Sequence, residues 1–198
     1  AGVRAFYAYM LTHPVKKLLM MGSEFGQWNE WHYEQSLDWH LLEQRPHRQL
    51  QQFFRAANAF YLAHPHLWEL DFSWEGFQWI YADDNCGNTL LYLRKNKKGE
   101  PLLIAVNFSP VHRKGYRVGV PIPGTYELLF NSDALEYGGT GAGDSAPLRS
   151  SRAPCHGCSE SIQIDLPPLS GVIYRCARKK TAAQIAAEGK KQSARSQA

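Results

Sequence analysis

Several side chains in this sequence have the types and spacing to do chemistry. Glu24 stands in Gly22-Ser23-Glu24-Phe25-Gly26, directly after the short apolar run at residues 15–21. A carboxylate at the end of a buried strand can line a cleft, or it can accept backbone amides of its own loop. Trp28 and Trp31 follow, each with a broad apolar face and an N–H at its edge, which suits either packing or a ligand with one apolar face and a polar rim. All six Trp lie between Trp28 and Trp79. Trp39, Trp68, Trp74 and Trp79 read as glue between two parts of the molecule. Asp38, in Ser36-Leu37-Asp38-Trp39, has the setting of a helix or turn cap rather than of a catalytic acid.

The other reactive group is Cys155-His156-Gly157-Cys158. It can supply half of a zinc site with Cys86 and Cys176 as distant thiolates, but a zinc motif ordinarily carries a second close pair. The histidine lies between the cysteines, so the haem-attachment pattern is absent. A turn with reduced thiols in a Gly/Ser/Pro-rich loop is the plainer reading. Four cysteines are too few for a disulfide-built scaffold and agree with a reducing compartment.

At 198 residues, the chain has room for one domain, or one domain and part of another. Its 44% hydrophobic, 13% aromatic and 20% charged residues predict a globular core. No apolar run approaches the roughly 20 residues of a membrane helix. Seven Lys or Arg against Glu188 give residues 175–198 a charge of +6, which turns the total of +4 into −2 for residues 1–174. A net positive charge found only at one end argues against nucleic-acid binding, which needs a basic face that neutralises several phosphates together.

Periodicity sets the elements that must position these residues. Val3, Phe6, Tyr7, Met10 and Leu11 predict one face of a helix over residues 1–11, closed before Pro14. Residues 15–21 predict a strand buried on both faces, as in a parallel sheet, and such a strand needs parallel neighbours. Residues 26–46 form a long polar and aromatic connection, whose length points to function. Leu50, Phe53, Phe54, Ala57, Phe60 and Tyr61 mark an amphipathic helix over 47–63. From Phe72 the period becomes two, with strands expected at 77–81, 89–94, 102–108, 116–120, 125–130, 161–166 and 172–176.

Seven strands with no helix between them predict an all-β sandwich. The helix, strand, loop and helix ahead of it read as the last α/β segment of a (β/α)8 barrel whose other strands lie outside this chain. The expected organisation is residues 1–70 as the incomplete C-terminal end of the barrel, 71–178 as the all-β domain, and 179–198 as a basic, disordered tail. With no initiator Met and no cap, the chain is expected to begin inside a larger protein.

Lys16-Lys17-Leu18-Leu19-Met20-Met21-Gly22-Ser23-Glu24-Phe25-Gly26-Gln27, then Glu30-Trp31, then Ser36-Leu37-Asp38-Trp39-His40-Leu41-Leu42, is similar to the segment around the eighth barrel strand of bacterial 1,4-α-glucan (glycogen) branching enzymes of the α-amylase superfamily. The resemblance continues through Glu69-Leu70-Asp71-Phe72, Gly76-Phe77-Gln78-Trp79, Val106-Asn107-Phe108-Ser109-Pro110 and Leu166-Pro167-Pro168-Leu169. It implies that residues 71–178 are the C-terminal all-β domain of such an enzyme, which cuts an α-1,4 glucan and transfers the piece to a 6-hydroxyl with retained configuration.

Retention requires a carboxylate nucleophile and a carboxylic acid about 5–5.5 Å apart. In the family the Asp nucleophile, the Glu acid/base and a further Asp come from earlier barrel strands. Those motifs are absent from this sequence, as is the His-Asp pair expected before the eighth strand, where His13 is followed by Pro14. No catalytic residue is therefore assigned in this chain, and alone it is expected to be inactive. Glucan binding is assigned to Glu24, Trp28 and Trp31, since a tryptophan face can cover the C–H face of a glucose ring. Neither a cofactor nor a metal is expected. The expected partners are α-1,4-glucan or glycogen and the upstream barrel of the same polypeptide, with no nucleic acid and no membrane. The family and the few cysteines imply a cytoplasmic location. The alternative is a non-catalytic glucan-binding β-sandwich module.

Overall fold

The structure, a computed structural model, describes residues 1–177. The tail expected at 179–198 lies outside the described residues. Each of the seven predicted strands forms, and a two-residue strand joins them. In chain order they are β1 (Phe77–Asp84), β2 (Thr89–Lys95), β3 (Pro101–Asn107), β4 (Arg113–Val120), β5 (Thr125–Asn131), β6 (Leu148–Arg149), β7 (Glu160–Leu166) and β8 (Ser170–Ala177). A six-stranded sheet runs in the order β1-β2-β3-β8-β5-β6, with β4 and β7 forming a second sheet. All pairings are antiparallel.

The two sheets close on a core of Leu91, Leu93, Leu103, Ala105, Val118, Val120, Ile162, Ile164, Val172 and Tyr174. β3 is apolar at consecutive positions, because side chains of opposite parity enter different cores. Leu103 and Ala105 face the small sheet, whereas Leu102, Ile104 and Val106 face the helical side. The molecule therefore has a third layer.

That layer consists of α1 (Gly2–Thr12) and α2 (Arg45–Ala63). Pro46 in the first turn of α2 suits a helix start, and the helix ends just before His64-Pro65. Phe53, Phe54 and Ala57 of α2 are buried as their spacing predicts. The expected face of α1 is corrected: Arg4, Ala5, Ala8, Leu11 and Thr12 are buried, while Val3 and Phe6 are exposed. Close approach decides this, since a Cβ placed on Gly171 of β8 would lie 2.7 Å from the Ala8 Cβ. Only small side chains fit at that crossing.

Two buried arginines fasten the layers. Arg94 of β2 donates to the carbonyls of Thr12 (2.7 Å), Leu67 (3.1 Å) and Gly76 (3.3 Å), and pairs with Asp71 at 2.7 Å. Arg4 donates to the carbonyls of Ser132 (2.8 Å) and Tyr137 (3.0 Å), and pairs with Asp133 at 3.3 Å. Such charges are tolerated inside because every guanidinium nitrogen meets an acceptor.

The strand expected at residues 15–21 does not form. Residues 16–20 have no regular structure, turns occupy 21–26, and the run joins neither sheet. Leu18 is 77% exposed and Met20 56%. A strand buried on both faces exists only where neighbours pair both rows of its backbone groups, and no described element does so here.

Candidate functional site

The loop carrying Glu24, Trp28 and Trp31 is irregular yet tied down. Gly22 and Gly26 adopt positive φ of 87° and 71°, which folds residues 21–26 into consecutive turns. The turns carry Phe25 into full burial, with its carbonyl 2.8 Å from Nδ1 of His47 on α2. Trp39 packs on the Phe25 ring at 5.1 Å, and Leu41 is buried below. The Asp38 amide donates to Gln27 Oε1 at 3.0 Å, and Asn29 Nδ2 donates to Asp38 Oδ2 at 2.9 Å. Asp38 occupies the cap position of the short 3-10 turn Trp39–Glu43, but its carboxylate holds Asn29 instead of a helix amide.

Trp31 is 43% exposed and lines an open cleft of about 410 Å³ with Met20, Met21, Gln27, Asn29 and Glu30. Trp28 is 69% exposed and sets its ring edge against His47 at 5.3 Å, outside that cleft. Glu24 is half-buried on the turn, also outside the lining, and among the described residues its carboxylate takes no hydrogen bond or ion pair. The structure thus joins Trp31 to the end of the apolar run and leaves Glu24 and Trp28 on neighbouring surface.

A second cleft, about 440 Å³, was not singled out from the sequence. It is lined by His13, Pro14, Asp71, Phe72, Ser73, Trp74, Phe77 and Trp79. Its signal was the crowding of aromatic residues at 72–79, read as glue. Within this chain Trp79 does bridge His13 and Tyr92, at 6.0 and 5.5 Å, while Trp74 is 93% exposed and Trp39 and Trp68 are at least 43% exposed. Arg4, Arg94, Tyr9, Tyr92 and the Ala8–Gly171 crossing supply further contacts between helices and sheet.

Electrostatics near this cleft oppose positive charge. Burial, aided by Lys17 and Arg94, lowers the His13 pKa below the usual histidine value. Burial also lowers Lys17 to about 8, Asp71 opposing the shift and Arg94 adding to it. Lys17 donates to the carbonyls of His13 and Val15 and sits 5.7 Å from the Tyr61 ring centre.

Two further open clefts measure about 520 and 480 Å³. None of the four is lined by two carboxylates: Glu30, Asp71 and Glu160 are single in theirs, and Asp71 is already paired with Arg94. Among the described residues no three His, Cys, Asp or Glu gather as a metal site, and no helix is long and apolar enough to cross a membrane.

The family described as "Alpha amylase, C-terminal all-beta domain" matches residues 79–177, half of the chain. Longer similarities reach 1,4-alpha-glucan branching enzymes. That of Pseudomonas fluorescens Pf-5 is 45% identical over 175 residues, 88% of this chain and 24% of the relative. That of Aquifex aeolicus is 46% identical over 88% of this chain and 28% of the relative, and that of Thermosynechococcus vestitus 42% over 94% and 24%. The chain thus spans about a quarter of the length of these relatives. Among solved structures, the native form of a Nostoc punctiforme debranching enzyme superimposes with a TM-score of 0.51 at 21% identity, covering 87% of this chain and 30% of that one, which supports the fold. With its sheets, its helical layer and these matches together, the chain belongs to the alpha-amylase C-terminal all-beta domain family and is similar to the C-terminal region of 1,4-alpha-glucan branching enzymes.

Proposed function

We propose that this chain serves as the C-terminal part of a branching enzyme that cleaves α-1,4-glucan and transfers the freed piece to a 6-hydroxyl, forming α-1,6 branches with retention. The observation that carries this reading is the reach of the similarity: 175 residues align with branching enzymes, far beyond the all-beta family match at 79–177. In this reading residues 1–70 complete a (β/α)8 barrel supplied by the same polypeptide, and residues 15–21 become its last strand. Their exposed apolar side chains support it, since full burial of each contributes roughly 1.5–3 kcal/mol. The catalytic carboxylates come from that barrel, and the protein acts in the cytoplasm on glycogen or a related α-glucan. Glu24, Trp28 and Trp31 face the substrate side, at the end of a barrel strand where active-site loops gather.

A chimera tests this: the Pseudomonas fluorescens enzyme with its matching region replaced by this chain. The chimera should branch amylose, read as a shift of the iodine complex, and the chain alone should not. A folded but inactive chimera, or a shift produced by the chain alone, would overturn the reading. In the chimera Trp31→Ala should lower kcat/KM for amylose more than Trp28→Ala, because Trp31 lines the cleft.

The aromatic cleft at Trp74 and Trp79 favours a second reading, a glucan-binding module without catalysis. Retarded migration of the chain in glycogen-containing native gels, lost in Trp74→Ala, would support it. Unchanged mobility would remove it.

A further inference from the structure

Cys155 and Cys158 are the closest thing in this fold to a reactive group that the glucan chemistry leaves unused. They frame a two-residue hairpin: His156 and Gly157 take φ of 48° and 73°, and the two cysteines pair across the turn. The Cys155 amide donates to the Cys158 carbonyl at 3.0 Å, and the Cys158 amide returns a bond of 2.9 Å to the Cys155 carbonyl. Two positive φ values are what the tight turn joining twisted antiparallel strands demands. Residues directly opposite in such a pair project to the same face.

The hairpin is held from several sides. Ser151 and Ser161 exchange backbone bonds of 2.9 and 3.0 Å at its base. The His156 ring stacks on Tyr81 at 4.4 Å and 9°, and its Nδ1 accepts from the Gly119 amide at 3.3 Å. Gly119 lies so close beneath that a Cβ there would be 2.1 Å from the Cys155 carbonyl oxygen. Neither cysteine is in a disulfide, both residues are half-buried, and the Cys155 thiol makes only a weak 3.8 Å contact to the Arg117 carbonyl.

We propose that Cys155 and Cys158 form a reversible redox site, closing to an intramolecular disulfide when a small-molecule disulfide is present. Cα atoms of a hydrogen-bonded antiparallel pair stand about 5.5 Å apart, within the range a disulfide spans. Their Cβ atoms, at about 4.5–5.5 Å, must draw closer to the roughly 3.8 Å of a relaxed bridge. The bridge therefore forms against the hairpin's resting geometry and is easily reduced. It also closes only a minimal loop, so it adds little stability through chain entropy. These features fit a site that opens and closes rather than a permanent staple. Zinc is the weaker fit, since no third ligand gathers with the pair among the described residues.

In the first step one cysteine thiolate attacks a sulfur of the small disulfide. That S–S bond breaks, a small thiolate leaves and a mixed disulfide forms. The second cysteine, as thiolate, then attacks the protein sulfur and expels the other small thiolate. The two protons given up by the cysteines end on the two small thiols, so the protein loses two electrons and the small disulfide gains them. Burial, and then the neighbouring Cys155, raise the Cys158 thiol, so closure quickens as the pH rises.

The test is to equilibrate the full chain in reduced and oxidised glutathione, quench with acid, label with N-ethylmaleimide and digest with trypsin. The peptide spanning residues 153–175 contains both cysteines and excludes Cys86 and Cys176. It should lose both maleimide labels and two hydrogens in oxidised buffer, and regain both labels after reduction. Cys158→Ser should stop at one glutathione adduct on Cys155. Two retained labels in oxidised buffer, or a stable double glutathione adduct on the wild-type peptide, would overturn the proposal.

Discussion

Two short apolar runs in this protein meet opposite fates. Leu102 to Val106 in β3 are buried on both faces and paired with β2 and β8 along their whole length. Residues 15–21 carry a comparable density of apolar side chains, yet they lie outside both sheets with most of those side chains in water. The difference is in neighbours, not composition: a strand without ladder partners has nowhere to place its N–H and C=O groups. Apolar runs therefore report the surroundings a segment was built for, and here one set of surroundings is met within the described residues while the other is not.

The largest effect that sharpens this contrast belongs to Arg94. Arg94→Met should destabilise the chain by about 3–5 kcal/mol in urea denaturation, because Asp71 and three buried carbonyls lose their partner. Next comes Leu103→Ala, expected to cost about 2–5 kcal/mol by leaving a cavity between the sheets. Gly171→Val should cost about 1–3 kcal/mol by pushing α1 off β8 at the Ala8 crossing. In contrast, the double change Leu18→Ser with Met20→Ser should move the stability of this chain by no more than about 0.5 kcal/mol. The same pair in the branching chimera should abolish soluble, active enzyme. A large loss in the isolated chain would break the comparison, since it would mean the run is already packed.

The smallest effect is on proton binding. The Lys17 amine should titrate near pH 8 when followed by carbon NMR, against an ordinary value of 10.5. Its folded pKa is depressed, so the unfolded chain binds more protons between pH 8 and 10.5, and the Lys17 contribution to stability rises with pH across that window. Below pH 8 both states are charged and the folded state bears the full desolvation cost. A midpoint near 10.5 would show that the Lys17 amine is not buried beside Tyr61.

The β strands were legible because short apolar or alternating runs bounded by Asp/Asn/Gly/Pro turns are local signals. The buried face of α2 was legible for the same reason. The face of α1 was not, since it is chosen by how closely β8 approaches at Gly171, a contact more than 150 residues away in sequence. Arg94 was equally invisible: within Thr89-Leu90-Leu91-Tyr92-Leu93-Arg94 it reads as the polar end of a strand, whereas its four partners are Thr12, at the end of the first helix, and Leu67, Asp71 and Gly76 in the stretch ahead of the sheet. For the candidate site, the loop and its aromatic residues could be named from sequence, but not which of them share a cleft. Trp31 and Met20 meet only because the turns at Gly22 and Gly26 fold the loop back.

Arg94 also has a geometric consequence. By gripping the Thr12 carbonyl it fixes the point from which the apolar run departs, and by gripping Leu67 and Gly76 it refers that point to the sheet. The all-β portion then serves as a surveyor's benchmark: the origin of the run is referred to β2, while the loop bearing Glu24 and Trp31 is held to α2 by the Phe25–His47 bond.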